Sequence, residues 1–203
     1  MPIAFGPTSR FRAGLLAVEL GVGEIMVRVH HQNNGAIFFG PNPGTLPRNR
    51  FDAPSGEYRV LYTAERLEGA FAECILKRPG RVVRRAFVEE QMWTPLRLGR
   101  SVILAKVMDE GLHFHGVDAS VSASEDYGAS RALALALHTD FPNLDGLAYR
   151  SRVNNREVCF AIFDRLRASD LTAMPGQRFD AHPKRTDELM SLHGAVFDTS
   201  VVG

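Results

Sequence analysis

The cleanest alternation in the chain is IMVRVHH, where Ile25, Val27 and Val29 share one face and Met26, Arg28 and His30 the other. A period of two predicts a strand over 25–31. A second strand is predicted over 58–63 (YRVLYT), with Tyr58, Val60 and Tyr62 on one side. The period then changes. Leu67, Ala70, Phe71, Cys74 and Ile75 follow helical spacing and mark a buried stripe, with Thr63 as the expected N-cap and Glu65 in the first turn. Glu73 lies off that stripe. Gly69 is expected to leave room beside it, and Leu76 is apolar on a face that should be wet. On pattern alone Glu73 is either a surface acid or a pocket acid.

The rest of the chain mixes both periods. A helix is predicted over about 10–20, capped by Ser9, with Leu15, Leu16 and Leu20 on one side and Gly21 and Gly23 ending it. Residues 35–40 (GAIFFG) form a short apolar strand or bend. Residues 40–57 hold four prolines, three glycines and three Asn/Asp, which predicts a long binding loop carrying Arg48 and Arg50. Pro79 and Gly80 end the Glu73 helix, residues 81–92 read as strand then loop, and Val102–Val107 as a strand. GLHFHGV reads as a further strand with His113 and His115 on one face. A helix runs from Asp126 to about Phe141, and strands cover 146–151, which puts Ser151 at an end, and 157–163. Asp170 and Thr186 are expected to cap short helices in a peripheral C-terminal part. Strands and helices without strict βα alternation predict an α+β fold rather than a doubly wound sheet.

Composition adds bounds rather than function. At 203 residues, 45% hydrophobic and 23% charged, the chain reads as one domain over 1–203. A net charge of +1 gives no global field for nucleic acid or membrane. The basic run Lys77, Arg78, Arg81, Arg84 and Arg85 is either a solvated turn or a docking surface. Cys74 and Cys159 sit among apolar neighbours and read as buried free thiols of a reducing compartment. Arg10 and Arg12 precede an apolar run that superficially resembles a signal peptide. Glu19 interrupts it and no small-x-small cleavage site follows, so a cytoplasmic protein is expected.

The sequence contains no nucleophile elbow, HExxH, P-loop lysine or paired glycosidase carboxylates, and Gly21–Gly23 is not a dinucleotide fingerprint. His113 and His115 lack a third ligand at metal-like spacing, so no metal is expected. The candidates left are Arg28, Arg50, Tyr62, Glu73 and Ser151. Arg28, mid-strand, either snorkels at a sheet edge or projects into a cleft. Cations on rigid elements, an aromatic face and one carboxylate suit a nucleotide whose ribose becomes cationic in the transition state.

The order MVRVHH, NRFDAPSGEYRVLYTAERLEGAFAE, GLAYRSRVN resembles the RES domain family, named for a shared arginine, glutamate and serine, over about 25–163. The resemblance implies a fold similar to ADP-ribosyltransferase toxins, with a mixed sheet core, flanking helices and peripheral extensions at both ends. It also implies a toxin of a bacterial toxin–antitoxin pair, neutralised by an Xre-type antitoxin. Its activity would be NAD degradation, with water or inorganic phosphate as acceptor, or ADP-ribosylation of a protein. Matched by position, Glu73, Arg50 and Ser151 are the expected catalytic residues, and Arg28 and Tyr62 the expected NAD-binding ones. Tyr62 matches a ring that stacks on nicotinamide. The chain departs from the family pattern at 49–52, with Asn-Arg-Phe-Asp where many relatives have Gly-Arg-Trp-Asn. Asp52 is thereby expected to add a negative charge near the phosphate site. A nucleotide- or protein-binding module without chemistry is the alternative.

Overall fold

A computed structural model describes residues 14–77 and 80–198. The strands are β1 (Ala17–Leu20), β2 (Ile25–His31) and β3 (Val60–Ala64), followed by helix α1 (Leu67–Ile75). Next come β4 (Val82–Val83), α2 (Arg85–Glu89), β5 (Gln91–Leu98) and β6 (Val102–Val107). Helices α3 (Glu110–Phe114), α4 (Ser120–Ala123) and α5 (Gly128–Asp140) lead into β7 (Gly146–Arg150) and β8 (Val158–Phe163). A 3₁₀ turn (Ala168–Asp170), β9 (Leu171–Ala173), β10 (Gln177–Arg178), α6 (Pro183–Leu192) and β11 (Val196–Phe197) complete the described chain.

Nine strands form one sheet in the order β1-β6-β7-β8-β3-β2-β5-β10, with β9 also on β5, while β4 and β11 pair separately. Only β6–β7 is parallel in the large sheet, and the rest of its pairs are antiparallel. This is the expected mixed sheet with flanking helices. Its curl follows from connectivity. β1 and β2 are consecutive and joined by a tight turn at Gly21–Glu24, yet they stand at distant places in the strand order. The sheet therefore bends back on itself. Gly23 makes the turn with φ of +87°, a conformation a side chain resists, and its N–H donates to the Leu98 carbonyl.

The bend creates two cores. The inner face gathers Met26, Leu61, Leu96, Leu104, Ala148, Phe160 and Ile162. On the outer face Val60, Leu147, Ala161 and Phe163 meet Phe71 of α1 and Leu133 and Leu137 of α5. The alternation read for 58–62 holds, since Tyr58 and Val60 lie in the outer core, Tyr62 packs against it and Leu61 lies in the inner core.

Several expected elements are corrected. The segment 17–20 is a strand pairing with β6, because Val18 and Leu20 alternate toward the inner core with Ala17 and Glu19 outward; Ser9 and 10–13 lie outside the described residues. His113 and His115 sit on and just after helix α3. Residues 85–89 are helical where a loop was expected, and 35–39 form bends that end in a single bridge from Gly40 to Val60. Thr63 lies inside β3, and α1 is entered through Arg66 with Glu68 in its first turn. Asp170 closes a 3₁₀ turn and Thr186 lies within α6, so neither caps a following helix. The C-terminal segment is built into the fold. Phe179 meets Phe71 edge-on and lies tilted against Trp93, and Leu189 and Met190 are buried. Among the described residues, no helix is long and apolar enough to cross a membrane.

Three histidines are held below their ordinary pKa, chiefly by burial: His30 against Thr94, His115 against the Leu16 carbonyl, and His138 stacked on Tyr58. The unfolded chain binds their protons more readily, so their contribution to stability is complete above about pH 6.5 and is lost as pH falls toward the folded values. The melting temperature should fall between about pH 7.5 and 5.5, and His138→Gln should reduce the fall. A melting temperature flat across that range would contradict this assignment.

Candidate active site

Helix α1 is the element that positions the acid. Its buried side, Ala70, Phe71, Ala72 and Ile75, packs on the outer core and leaves Glu73 at the flank. Gly69 and Glu73, one turn apart, both face the β7–β8 connection. A Cβ on Gly69 would stand 3.0 Å from Glu157 Cβ and 3.2 Å from Ala64 Cβ. The absent side chain therefore lets the helix sit against the sheet, and the room expected beside Glu73 is filled by Glu157 and Ala64. Glu157 is itself buried and held by Arg66 at 2.5 Å.

That close approach brings Glu73 to Ser151. The Ser151 hydroxyl donates to Glu73 Oε1 at 2.7 Å, and the buried Tyr149 hydroxyl reaches Oε2 at 3.5 Å. Ser151 is fully buried at the end of β7, and its Oγ accepts from the Val153 and Asn154 N–H groups. Those bonds orient the hydroxyl proton toward Glu73. Burial, and then the Glu73 charge, push the Tyr149 pKa well up, so Tyr149 is a donor here and not a phenolate. Leu76, expected on a wet face, is buried in the outer core.

A cavity of about 320 Å³ opens over this pair, lined by Arg28, Arg50, Tyr62 and Glu73. Four of the five expected site residues thus line one cavity, and Ser151 lies just behind it on the carboxylate. Cys74, Lys77, Tyr127, Tyr149 and Arg152 also line it and were not singled out from the sequence. Tyr127 comes from a segment whose local pattern carries no chemical signal, whereas Tyr149 and Arg152 flank Ser151 within GLAYRSRVN and were passed over there. The cavity sets four cations, Arg28, Arg50, Lys77 and Arg152, around one carboxylate, an arrangement that accepts an anion at the rim and places negative charge at the floor.

Each cation is held differently. Arg28 Nη1 donates to the Ala36 and Phe38 carbonyls, and burial lowers its pKa to about 10, which leaves it charged at neutral pH. Of its two readings, the cleft position is the observed one. Arg50 is buried, and its Nη1 donates to the Ser124 carbonyl at 2.8 Å. Lys77 Nζ donates to Asn49 Oδ1 at 2.6 Å across the mouth, and Arg152 donates to the Lys77 carbonyl at 2.7 Å. The basic run therefore divides. Lys77 belongs to the cavity, whereas Arg81 donates to the Gly194 carbonyl and Arg85 lies over the Phe197 ring, both securing the C-terminal strand. Arg78 lies outside the described residues.

Asp52 has a place in the loop as well as a charge. It is fully buried and accepts from the Arg48 and Asn49 N–H groups and from the Tyr62 hydroxyl. Its charge organises the loop, as an acid facing several N–H donors does. The Phe51 N–H also donates to Tyr62 Oη, so the loop grips the tyrosine hydroxyl from two sides while the side chain borders the cavity. Burial, and then Asp52, push the Tyr62 pKa well up. Phe51 is fully buried, edge-on to Tyr149, and fills an apolar place below the site.

Neither cysteine is bonded in a disulfide. Cys159 is buried and Cys74 half-buried, with burial raising the Cys74 thiol to about 11, so it is no nucleophile at neutral pH. Among the described residues, no group of three or more His, Cys, Asp or Glu side chains is arranged to hold a metal.

A family model described as the RES domain matches residues 25–182, a span that includes every side chain of the Glu73 cavity. No curated protein matches the chain. Among solved structures, the fold is similar to that of a chain in the crystal structure of the M. tuberculosis MbcT–MbcA toxin–antitoxin complex. The TM-score is 0.64 with 13% identity, over 85% of this chain and 92% of that one.

Gly69→Ala tests the packing that sets Glu73. Alanine gains about 1 kcal/mol in helix propensity, whereas crowding against Glu157 and β3 costs about 1–3 kcal/mol. The crowding term should win, because Glu157 is pinned by Arg66 and the Ala64 Cβ is fixed directly to the strand. A net loss of about 1 kcal/mol in urea unfolding is expected. A stabilised variant would show that the helix has slack there.

Proposed function

Because the chain belongs to the RES domain family, we propose that it is the toxin of a bacterial toxin–antitoxin pair and that it breaks the nicotinamide–ribose bond of NAD. The observation that carries this reading is the Glu73 carboxylate, held by the Ser151 hydroxyl at 2.7 Å on the floor of a cavity rimmed by Arg28, Arg50, Lys77 and Arg152. The likeness in fold to a chain of a toxin–antitoxin complex supports an antitoxin partner, which we take to be of the Xre type.

In this reading the pyrophosphate lies against Arg28 and Arg50, whose planar guanidinium groups match phosphate geometry. The nicotinamide ribose rests against Tyr62. With its hydroxyl engaged by Asp52 and Phe51, the tyrosine offers its ring rather than its oxygen. Glu73 hydrogen-bonds the ribose hydroxyls. As the C1′–N bond breaks, its electron pair leaves with nicotinamide, which departs neutral, and positive charge develops at C1′. A fixed carboxylate nearby in a partly dewatered cleft stabilises that charge by an amount on the order of 4 kcal/mol at 4 Å and an effective dielectric of 20. Ser151 acts by orienting Glu73. Water or inorganic phosphate then adds to C1′ and gives up a proton, which yields ADP-ribose or its 1″-phosphate. A protein side chain as acceptor would make the same step a transfer.

Purified protein mixed with NAD, with and without inorganic phosphate, distinguishes the acceptors by chromatography of nicotinamide and product. Loss of NAD only with phosphate identifies phosphorolysis, and loss in both identifies hydrolysis. Glu73→Gln should release nicotinamide at least about a hundredfold more slowly while melting like the wild type. Wild-type turnover by that variant would sink the mechanism. Intact NAD under both conditions would remove NAD degradation and leave transfer to a protein or binding alone.

A further inference from the structure

One cross-braced part of the cavity wall is built around Tyr127. This residue stands at the N-cap of α5 and lines the cavity. The guanidinium carbon of Arg50 lies 4.6 Å from the centre of its ring. That of Arg131, one turn along the helix, lies 5.5 Å away. Arg131 also reaches the loop immediately before Arg50, donating through Nε to the Asn49 carbonyl and through Nη2 to the Pro47 carbonyl, both at 3.2 Å. The first turn of α5 thus grips the 47–50 segment twice, once by its backbone and once by the Arg50 side chain.

The chemistry of those contacts matters. Arg50 meets the Ser124 carbonyl and an aromatic face. Both are neutral, so they direct the guanidinium without cancelling its charge. A carboxylate in the same place would hold Arg50 as firmly but would neutralise it toward an anionic ligand. An arginine oriented by a carbonyl and a ring keeps N–H groups and a full charge for a phosphate.

We propose that Tyr127 is a positioning residue whose ring face aims the Arg50 guanidinium into the cavity, so that an anionic group of the substrate meets a preoriented cation. The identity of that anion as the NAD pyrophosphate rests on the NAD reading; the positioning does not. The contact acts on binding, while the Glu73–Ser151 pair that serves the chemistry is left untouched.

Tyr127→Leu removes the ring and keeps apolar bulk, and Tyr127→Phe keeps the ring and removes the hydroxyl. The leucine variant should raise KM for NAD between about three- and thirtyfold, the range of a cation–π contact, with kcat within about twofold. Phenylalanine should restore the wild-type KM. An NMR readout needs no turnover. The Arg50 Nε–H resonance, assigned by its loss in Arg50→Lys, should be shifted upfield by the ring in wild type and Tyr127→Phe and should relax toward its free position in Tyr127→Leu. An unmoved resonance in Tyr127→Leu overturns the proposal, as does a phenylalanine variant impaired as much as leucine, which would assign the role to the hydroxyl. Should the wild type leave NAD intact, the NAD reading fails by itself, and the resonance alone decides whether Tyr127 positions Arg50.

Discussion

A carboxylate on the flank of a helix packed against a sheet must find donors or face water, and in this protein it finds a serine. The bond from Ser151 to Glu73 Oε1 joins the end of β7 to α1 across 78 positions of sequence. It requires that α1 lie close to the β7–β8 connection, which Gly69 permits by leaving only backbone against Glu157 and Ala64. It also requires that the Ser151 proton point inward, which the Val153 and Asn154 N–H groups ensure by occupying the other side of the oxygen. Loop, strand end and helix are arranged around this one contact.

The charges are distributed with comparable economy. Acids near the cavity other than Glu73 are engaged elsewhere: Asp52 by the loop backbone and Tyr62, and Glu157 by Arg66. Arg28, Arg50 and Lys77 are held by carbonyls, an amide and a ring, which orient without neutralising, whereas Arg152 also pairs with the exposed Glu125 at 3.7 Å. A cleft wired this way presents positive charge to a ligand and reserves one carboxylate for its floor. Asp52 is thus also a structural device, whose buried carboxylate gathers the Arg48 and Asn49 N–H groups and the Tyr62 hydroxyl.

Much of the architecture was legible from local pattern. The strands at 25–31 and 102–107 were read with their observed bounds, and the helices around Phe71 and Leu133 within a few residues, because their buried faces repeat at the period of their own backbone. Misreadings fell where the period was too short to decide. Residues 17–20 are four positions of an edge strand, and 85–89 and 110–114 are helices of five residues each, the second with one of the two histidines. The C-terminal segment looked peripheral because its apolar residues are sparse, yet Phe179, Leu189 and Met190 close the outer core.

For the site, the sequence by itself determined which residue types could act. It supplied an acid beside a helix stripe, an arginine mid-strand, another in a loop denied regular structure by its prolines, and a serine at a strand end. The resemblance of those segments to a family singled out the same five positions. Tertiary structure decided the rest. It turned Gly69 from a gap into a contact and showed Asp52 to be an anchor of the loop. It also brought Tyr127, Tyr149, Lys77 and Arg152 to the same cavity. The reason is physical. Periodicity records which side of one element is buried, whereas Glu73 being a surface acid or a pocket acid depends on what another element places opposite it. Only the curl of the sheet puts Ser151 there.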